Sequence, residues 1–268
     1  MKTISYSQNR EDIVLRRALR DVRQGFYIDV GANDPVEESV TKLFYDAGWK
    51  GINIEPLSAC YERLQLLRPR DINIQALVGA ERGKCVLYEF PEDGRYSTAD
   101  KSIAERHERA LGLKYTVREL PLLTLSSVCE QRAVDEIHFL KIDVEGHEAQ
   151  VLQGFDLARY RPWVLVIEAT EPYSQVDTSA QWEKLVLSHG YEFALFDGLS
   201  RFYVSKEKAE LKAAFLIPPN IFDNYITSSE AKMLMEIKQA HSVVWLVKRL
   251  MQELGLRVKS IVRAGRSN

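Results

Sequence analysis

The segment FLKIDVEGHE (139–148) crowds Lys141, Asp143, Glu145, His147 and Glu148 around Gly146, directly after a short apolar run. So many ionisable groups beside a buried strand are costly unless they face a cleft, and coupled acids and bases are where catalytic pKa values are tuned. The chemistry such a set suits is proton removal from a weak nucleophile. His147 and Glu145 are the expected bases, with Asp143 and Glu168 as orienting or charge-balancing groups. Glu168 closes a later apolar run, Val164–Glu168, and should point at the same cleft. A divalent metal is the alternative, since Asp143, Glu145 and His147 alternate and offer ligands that suit magnesium or manganese. A helix after Gly146 would break that alternation, so no metal ligand is assigned. The plainer reading is a polar turn that caps the next helix, with Glu148 in its first turn.

A second motif, FYIDVGAND, ends an apolar strand in Asp29 and continues into Gly31, Ala32 and Asn33. Small residues there admit a ligand close to the backbone, and a following helix would present free N–H groups to it. Dinucleotide binding wants G-x-G-x-x-G. Only Gly31 is present, with Asn33 where the second glycine would stand, which argues against NAD and FAD. Asp29 would repel a phosphate but receive the ammonium of an amino-acid-bearing cofactor. In the third motif, GINIEP, Glu55 ends a strand 24 residues after Gly31, with Pro56 next. A carboxylate in that place accepts hydrogen bonds from both hydroxyls of a ribose. Together the two motifs point to a nucleoside cofactor without phosphates, for which S-adenosylmethionine is the obvious choice.

These residues need a scaffold that gathers strand ends. Apolar runs at Phe26–Val30, Ile52–Ile54, Ile72–Leu77, Val86–Phe90, Ile137–Ile142 and Val164–Glu168 read as buried strands. Helical spacing falls between most of them, at Glu37–Ala47, Ala59–Leu67 and Glu148–Leu157, and Tyr191–Phe196 and Arg201–Val204 flank Asp197-Gly198 like an antiparallel hairpin. The alternation predicts an α/β fold, a mostly parallel central sheet with helices on both faces, which binds ligands beyond the carboxyl ends of its strands. The polar stretch Pro91–Pro121 interrupts it, as a lid, a binding segment or a solvated insertion. Ser97 and Thr98 within it could touch cofactor or acceptor. His107 and Arg109 are expected to face solvent, and Tyr173 and Trp182 to join the core.

The 268 residues, 46% hydrophobic and 28% charged, have the composition of a globular protein, read as one domain with an appendage. Cys60, Cys85 and Cys129 form no CxxC pair, which argues against a disulfide framework or thiolate zinc site and suits a reducing cytoplasm. The opening MKTISYSQNRED has no apolar signal-like region, and no apolar run approaches the ~20 residues of a membrane helix. The expected location is therefore cytoplasmic. The net charge of −2 divides into −7 for residues 1–227 and +5 for residues 228–268, and the acidic body argues against nucleic acid as substrate. In the basic end, Met233, Ile237, Ala240, Val244, Val247, Met251 and Leu254 recur at alternating intervals of four and three. That seam predicts a helical extension, 228–268, that forms a homodimer or meets a partner domain. Docking on its own domain is an alternative, as is peripheral attachment to an anionic membrane through Lys248, Arg249, Arg257, Lys259, Arg263 and Arg266.

The combination of IDVGAND, NIEP, Thr124-Leu125 before a helix, KIDVEGHE followed by VLQG, and a later strand ending in Glu168 resembles the FkbM-type methyltransferases. The likeness covers roughly residues 6–226, including YSQNRED near the start and PPNIFDNY near the end. It implies a Rossmann-like class I methyltransferase domain over 1–227 and S-adenosylmethionine-dependent methylation of hydroxyls on sugars and natural products. By that resemblance Asp29, Gly31, Asn33 and Glu55 hold the cofactor; Ala32 and Pro56, their neighbours in the two motifs, and Ser97 of the polar insertion are expected to join them. Asp143 would sit near its methionine end, and Gln8 and Asp12 would close over cofactor or substrate. Ser126 departs from the pattern, standing where members have Asp. A sugar or glycan hydroxyl is the expected acceptor. The alternatives are another natural product or a module that binds cofactor without turnover. A nucleic-acid enzyme would want an N/D-P-P-aromatic motif, which the central strand lacks.

Overall fold

Runs of β-branched and aromatic residues, each stopped by Gly, Pro or an acid, become the strands of a computed structural model that describes residues 2–171 and 174–264. Tyr173 lies outside the described residues. In chain order the elements are β1 (Thr3–Ser5), α1 (Glu11–Ala18), β2 (Phe26–Val30), α2 (Lys42–Asp46), β3 (Lys50–Ile54), α3 (Ser58–Leu67), β4 (Ile72–Ile74), β5 (Leu77–Val78) and β6 (Gly83–Glu89). There follow α4 (Lys101–Leu111), β7 (Thr116–Leu123), α5 (Leu125–Gln131), β8 (Phe139–Ile142), α6 (Glu148–Gln153), α7 (Leu157–Tyr160) and β9 (Val164–Glu168). The last are α8 (Glu183–Ser188), β10 (Tyr191–Phe196), β11 (Ser200–Ser205), β12 (Tyr225–Thr227) and α9 (Ser228–Ala264). The chain divides into a larger unit, residues 5–224, and a smaller one made of the residues up to Ile4 and those from Tyr225 onward. In the smaller unit β1 pairs with β12, and α9 is a single 37-residue helix.

The larger unit is a Rossmann-like α/β fold. Its seven-stranded sheet runs β10-β11-β9-β8-β2-β3-β4, with β9, β8, β2, β3 and β4 parallel and β11 antiparallel to both of its neighbours. β10 and β11 pair antiparallel across the turn at Asp197-Gly198. Alternation along the strands sends Ile28, Val30, Leu140 and Ile142 to one face, where they pack with Val128, Val151, Leu157 and Val186 of α5 to α8. On the other face Phe44 of α2 packs on Phe139, which stacks on Tyr27. Strand order reverses at β2, which lies between β3 and β8. This is the switch point at which such sheets leave a crevice.

The structure revises several expectations. The helix expected over Glu37–Ala47 is cut to Lys42–Asp46, because the chain from Gly31 to Thr41 is held as a loop by Arg68, whose guanidinium donates to Pro35 O and Ser39 Oγ. Glu148–Leu157 breaks between α6 and α7, with Gly154 closing the first. The run Ile72–Leu77 is split between β4 in the main sheet and β5 in a second sheet, ordered β5-β7-β6. β7 pairs antiparallel with β6 from Gly83↔Leu122 to Glu89↔Thr116, so the Pro91–Pro121 insertion is a β-paired excursion that carries α4. Asp100 caps α4 by accepting from Ser102 N and Ile103 N. His107 is buried, not solvent-facing, with Nδ1 3.1 Å from Tyr96 O and Phe90 beside it. Among the described residues no helix is long and apolar enough to cross a membrane.

Candidate active site

A cavity of about 660 Å³ opens beyond the carboxyl ends of β2, β3, β8 and β9. Gly31, Ala32 and Asn33 line it after β2, Glu55 and Pro56 after β3, Asp143, Glu145 and His147 after β8, and Glu168 at the end of β9. Gln8 and Ser97 reach it from outside the sheet. Of the expected site residues, only Asp12 and Asp29 are not in its lining.

The turn after β2 depends on Gly31. Its φ is +78°, and a Cβ there would stand 1.8 Å from the carbonyl oxygen of Asp143. Glycine alone fits where the β2 and β8 turns touch. The N–H groups of this turn do not face a ligand, contrary to expectation, because α2 begins only at Lys42. Gly31 N and Ala32 N donate to Ile54 O (3.0 and 3.2 Å), and Asn33 N donates to Glu55 Oε2 (2.7 Å). The turn therefore offers close approach, braced against β3. Glu55 takes one backbone N–H on each oxygen, the other from Leu57 N at 2.8 Å. Each oxygen keeps a lone pair, as two ribose hydroxyls require. Burial raises the Glu55 pKa to about 7, against the pull of those two N–H donors.

Asp29 lies one layer behind the lining. Thr41 Oγ1 donates to its Oδ2 (2.9 Å) and Lys141 Nζ stands 3.4 Å from its Oδ1, so it does not face the cavity to receive an ammonium group. Its position on the buried pleat of β2 makes it a support for Lys141. Lys141 lines the cavity, donates to Gly31 O (2.9 Å) and lies 3.2 Å from Asp143 Oδ2. Burial penalises its charge, but Asp143 and Asp29 outweigh that and hold the ammonium protonated, above its ordinary pKa. One cation thus ties the β2 turn to the β8 turn and offsets the acids around it.

The β8 turn carries two left-handed residues in succession, Glu145 (φ 53°) and Gly146 (φ 97°). A non-glycine residue held there stores strain of the kind that gathers at functional sites. Glu148 stabilises the turn by accepting from Val144 N (3.1 Å) and Gly146 N (3.2 Å), the capping part of the plainer reading. Burial, then the Asp143 charge, pushes Glu145 and Glu168 well above the usual carboxylate range. Among the described residues, Glu168 Oε2 and His147 Nδ1 are buried without a hydrogen-bond partner. Burial also lowers the His147 pKa, so its imidazole is neutral near neutral pH. Asp143, Glu145 and His147 share the cavity, but among the described residues no three or more His, Cys, Asp or Glu side chains are grouped to hold a metal ion.

Ser97 accepts from Phe90 N (3.0 Å), and Thr98, nearly inaccessible, donates to Glu145 O (3.2 Å), joining the insertion to the β8 turn. Asp12 is fully buried and satisfied by Ser5 Oγ, Ser7 Oγ and Tyr6 N at 2.7–2.8 Å. It knots the opening segment instead of closing over a ligand. The residue that does line the cavity beside Gln8 is Glu11, whose pKa burial and the Asp197 charge raise to about 7. An acid in the first turn of a helix also complements the helix dipole, so residue type and place do not single out Glu11 in the sequence.

The sequence pattern of the methyltransferase FkbM domain matches residues 29–193, more than half of the chain and all of the lining from Gly31 to Gln175. The chain belongs to the FkbM methyltransferase family. No curated protein matches it. Among solved structures it is similar to a TehB-like SAM-dependent methyltransferase from Corynebacterium glutamicum, at 9% identity and a TM-score of 0.38, over 72% of this chain and 88% of that one. In this FkbM domain Ser126, the departure from the family pattern, accepts from Asp156 N (2.8 Å) and lies outside the cavity lining. Thr124 caps α5 by accepting from Ser127 N (3.2 Å).

Proposed function

We propose that this methyltransferase uses S-adenosylmethionine to methylate a hydroxyl of a sugar or glycan. The observation that carries the reading is that Glu55 and His147, at the ends of β3 and β8 on either side of β2, line one cavity. Glu55 would hold the ribose and Lys141-braced Gly31 would admit the nucleoside, with Asp143 toward the methionine end. When bound, S-adenosylmethionine supplies an electrophilic methyl group. The chain's part is to align an acceptor oxygen with that methyl, exclude water and take the hydroxyl proton. His147 suits the last role, because a neutral imidazole with an unpartnered buried nitrogen accepts a proton at neutral pH. Glu145 and Glu168, held toward their protonated forms, would offer hydrogen bonds that orient the acceptor. Gln8, Thr170, Gln175 and Ser200 add donors and acceptors that suit a polyol.

The test pairs calorimetric titration of S-adenosylmethionine with transfer of a labelled methyl group onto sugars, glycans, other natural products and nucleic acids. Glu55→Ala should bind the cofactor at least about tenfold more weakly, the scale of a charge-assisted hydrogen bond, while staying folded. Unchanged affinity in a folded Glu55→Ala variant refutes the ribose assignment. Tight cofactor binding with no transfer to any acceptor would make the domain a binding module, and transfer only to a non-sugar product or to nucleic acid would overturn the acceptor class.

A further inference from the structure

Helix α9 carries a pattern that the site does not use. The interval of four and three runs past Leu254 to Val258 and Ile261, nine successive positions in the sequence. In heptad terms the a positions are Ile237, Val244, Met251 and Val258, and the d positions are Met233, Ala240, Val247, Leu254 and Ile261. Met233, Ile237, Val247 and Met251 are 63%, 45%, 47% and 69% exposed. Three of the four a residues are β-branched, whereas only Val247 and Ile261 of the five d residues are, which keeps the seam nearer the two-stranded pattern than the β-branched a-and-d pattern of higher bundles.

We propose that α9 is a homodimerisation helix, which a second copy of this chain joins in parallel and in register as a two-stranded coiled coil. Parallel pairing sets each g position against the e position five residues on in the partner: Glu236 with 241, Val243 with 248, Leu250 with 255, Arg257 with 262. Those e positions hold His, Lys, Gly and Val, so no two like charges oppose each other along the seam. A lipid surface explains the pattern less well. A stripe of period 3.5 drifts by about 20° per heptad on a straight helix, so over four heptads it turns away from a flat surface. A supercoiled partner follows it. Arg249, moreover, sits at an f position opposite the seam, over the ring of Trp245 (5.2 Å).

Sedimentation equilibrium of the full chain should give twice the chain mass. Val247→Asp, at a d position, should give a monomer with unchanged cofactor affinity. Ala240→Cys, on the seam, should cross-link to its partner when oxidised with copper–phenanthroline in air, whereas Ser242→Cys on the far face and the unaltered chain, with its own three cysteines, should not. A monomeric wild-type chain, a trimer or tetramer, a dimer that survives Val247→Asp, or a dimer in which Ala240→Cys fails to cross-link each overturns the proposal. A monomer that co-sediments with phosphatidylglycerol vesicles does so in favour of the membrane.

Discussion

Two ionic clusters flank β2, one fully buried and one partly open to the cavity, and they are built to opposite rules. On the β3 and β4 side, Arg68 and Asp71 stand 3.7 Å apart, with both side chains inaccessible. Asp71 accepts from Tyr27 Oη, Gly51 N and Asn53 Nδ2 at 2.6–3.0 Å, and Arg68 spends its donors on Pro35 O, Ser39 Oγ and Tyr27 Oη. Among the described residues, only the Asn53 Oδ1 atom of this group lacks a hydrogen-bond partner. On the β8 and β9 side, Lys141 faces Asp29, Asp143, Glu145 and Glu168, acids in excess of cations, and among the described residues Glu168 Oε2 and His147 Nδ1 keep no hydrogen-bond partner, while Asp29 Oδ1 has the Lys141 ion pair and no hydrogen bond. A satisfied network specifies structure; a cluster left in deficit beside a cavity keeps its capacity for a ligand. The Arg68 cluster fixes the loop from Gly31 to Thr41, and that loop is one wall of the site the other cluster serves.

The contrast is broken most directly at Arg68. Arg68→Met leaves the Asp71 carboxylate buried without its cation, and chemical denaturation should show a loss of about 3–5 kcal/mol. Adding Asp71→Asn removes the stranded charge while keeping an acceptor for Gly51 N, so the double variant should be more stable than Arg68→Met alone. A loss below about 1 kcal/mol in the single variant would remove the structural role assigned to this cluster.

His147 tests the other side. His147→Ala should lower turnover by about 10²-fold, some 2.7 kcal/mol of transition-state stabilisation, with cofactor affinity and folding stability near wild type. Because burial lowers its pKa, the acid limb of kcat/KM should lie below the ordinary histidine value of about 6.5. A variant with full turnover, or an acid limb at or above that value, would take the proton-accepting role from His147.

What was legible in the sequence follows the same division. Gly31, Glu55, Asp143, Glu145, His147 and Glu168 sit at strand ends, where local pattern and the sheet's geometry jointly fix where a residue points, and all six line the cavity. Asp29 and Asp12 could not be told from lining residues by type. Their fate depends on Lys141 and Thr41, and on Ser5 and Ser7, contacts that no periodicity reveals. Strand β7 was hidden for a related reason, since its partner β6 lies across a long excursion and pairs by non-local register. The helix expected from Glu37 failed because a distant arginine claims the carbonyl of Pro35.

The finest test of the comparison is Glu168→Gln, which keeps shape while removing the charge that burial and Asp143 disfavour. A carboxyl whose folded pKa is raised binds its proton more tightly folded than unfolded, so its favourable contribution is complete below the unfolded value near 4.5 and is lost as pH rises through the folded value. At pH 8 the wild-type chain bears the cost either of ionising this buried carboxyl or of holding its proton, and glutamine bears neither. Glu168→Gln should therefore be more stable than wild type at pH 8 by about 1 kcal/mol, the low end of the penalty for an unsatisfied buried polar group, and the gain should vanish toward pH 4.5. Urea denaturation at the two pH values reads this directly. The same substitution in the satisfied network, Asp71→Asn, also removes a charge that burial disfavours, but it strands the buried Arg68 guanidinium 3.7 Å away, so it should destabilise at pH 8. If both variants shift stability in the same direction at pH 8, the two clusters obey one rule, and the distinction between a network built for the fold and one left in deficit for a ligand does not hold.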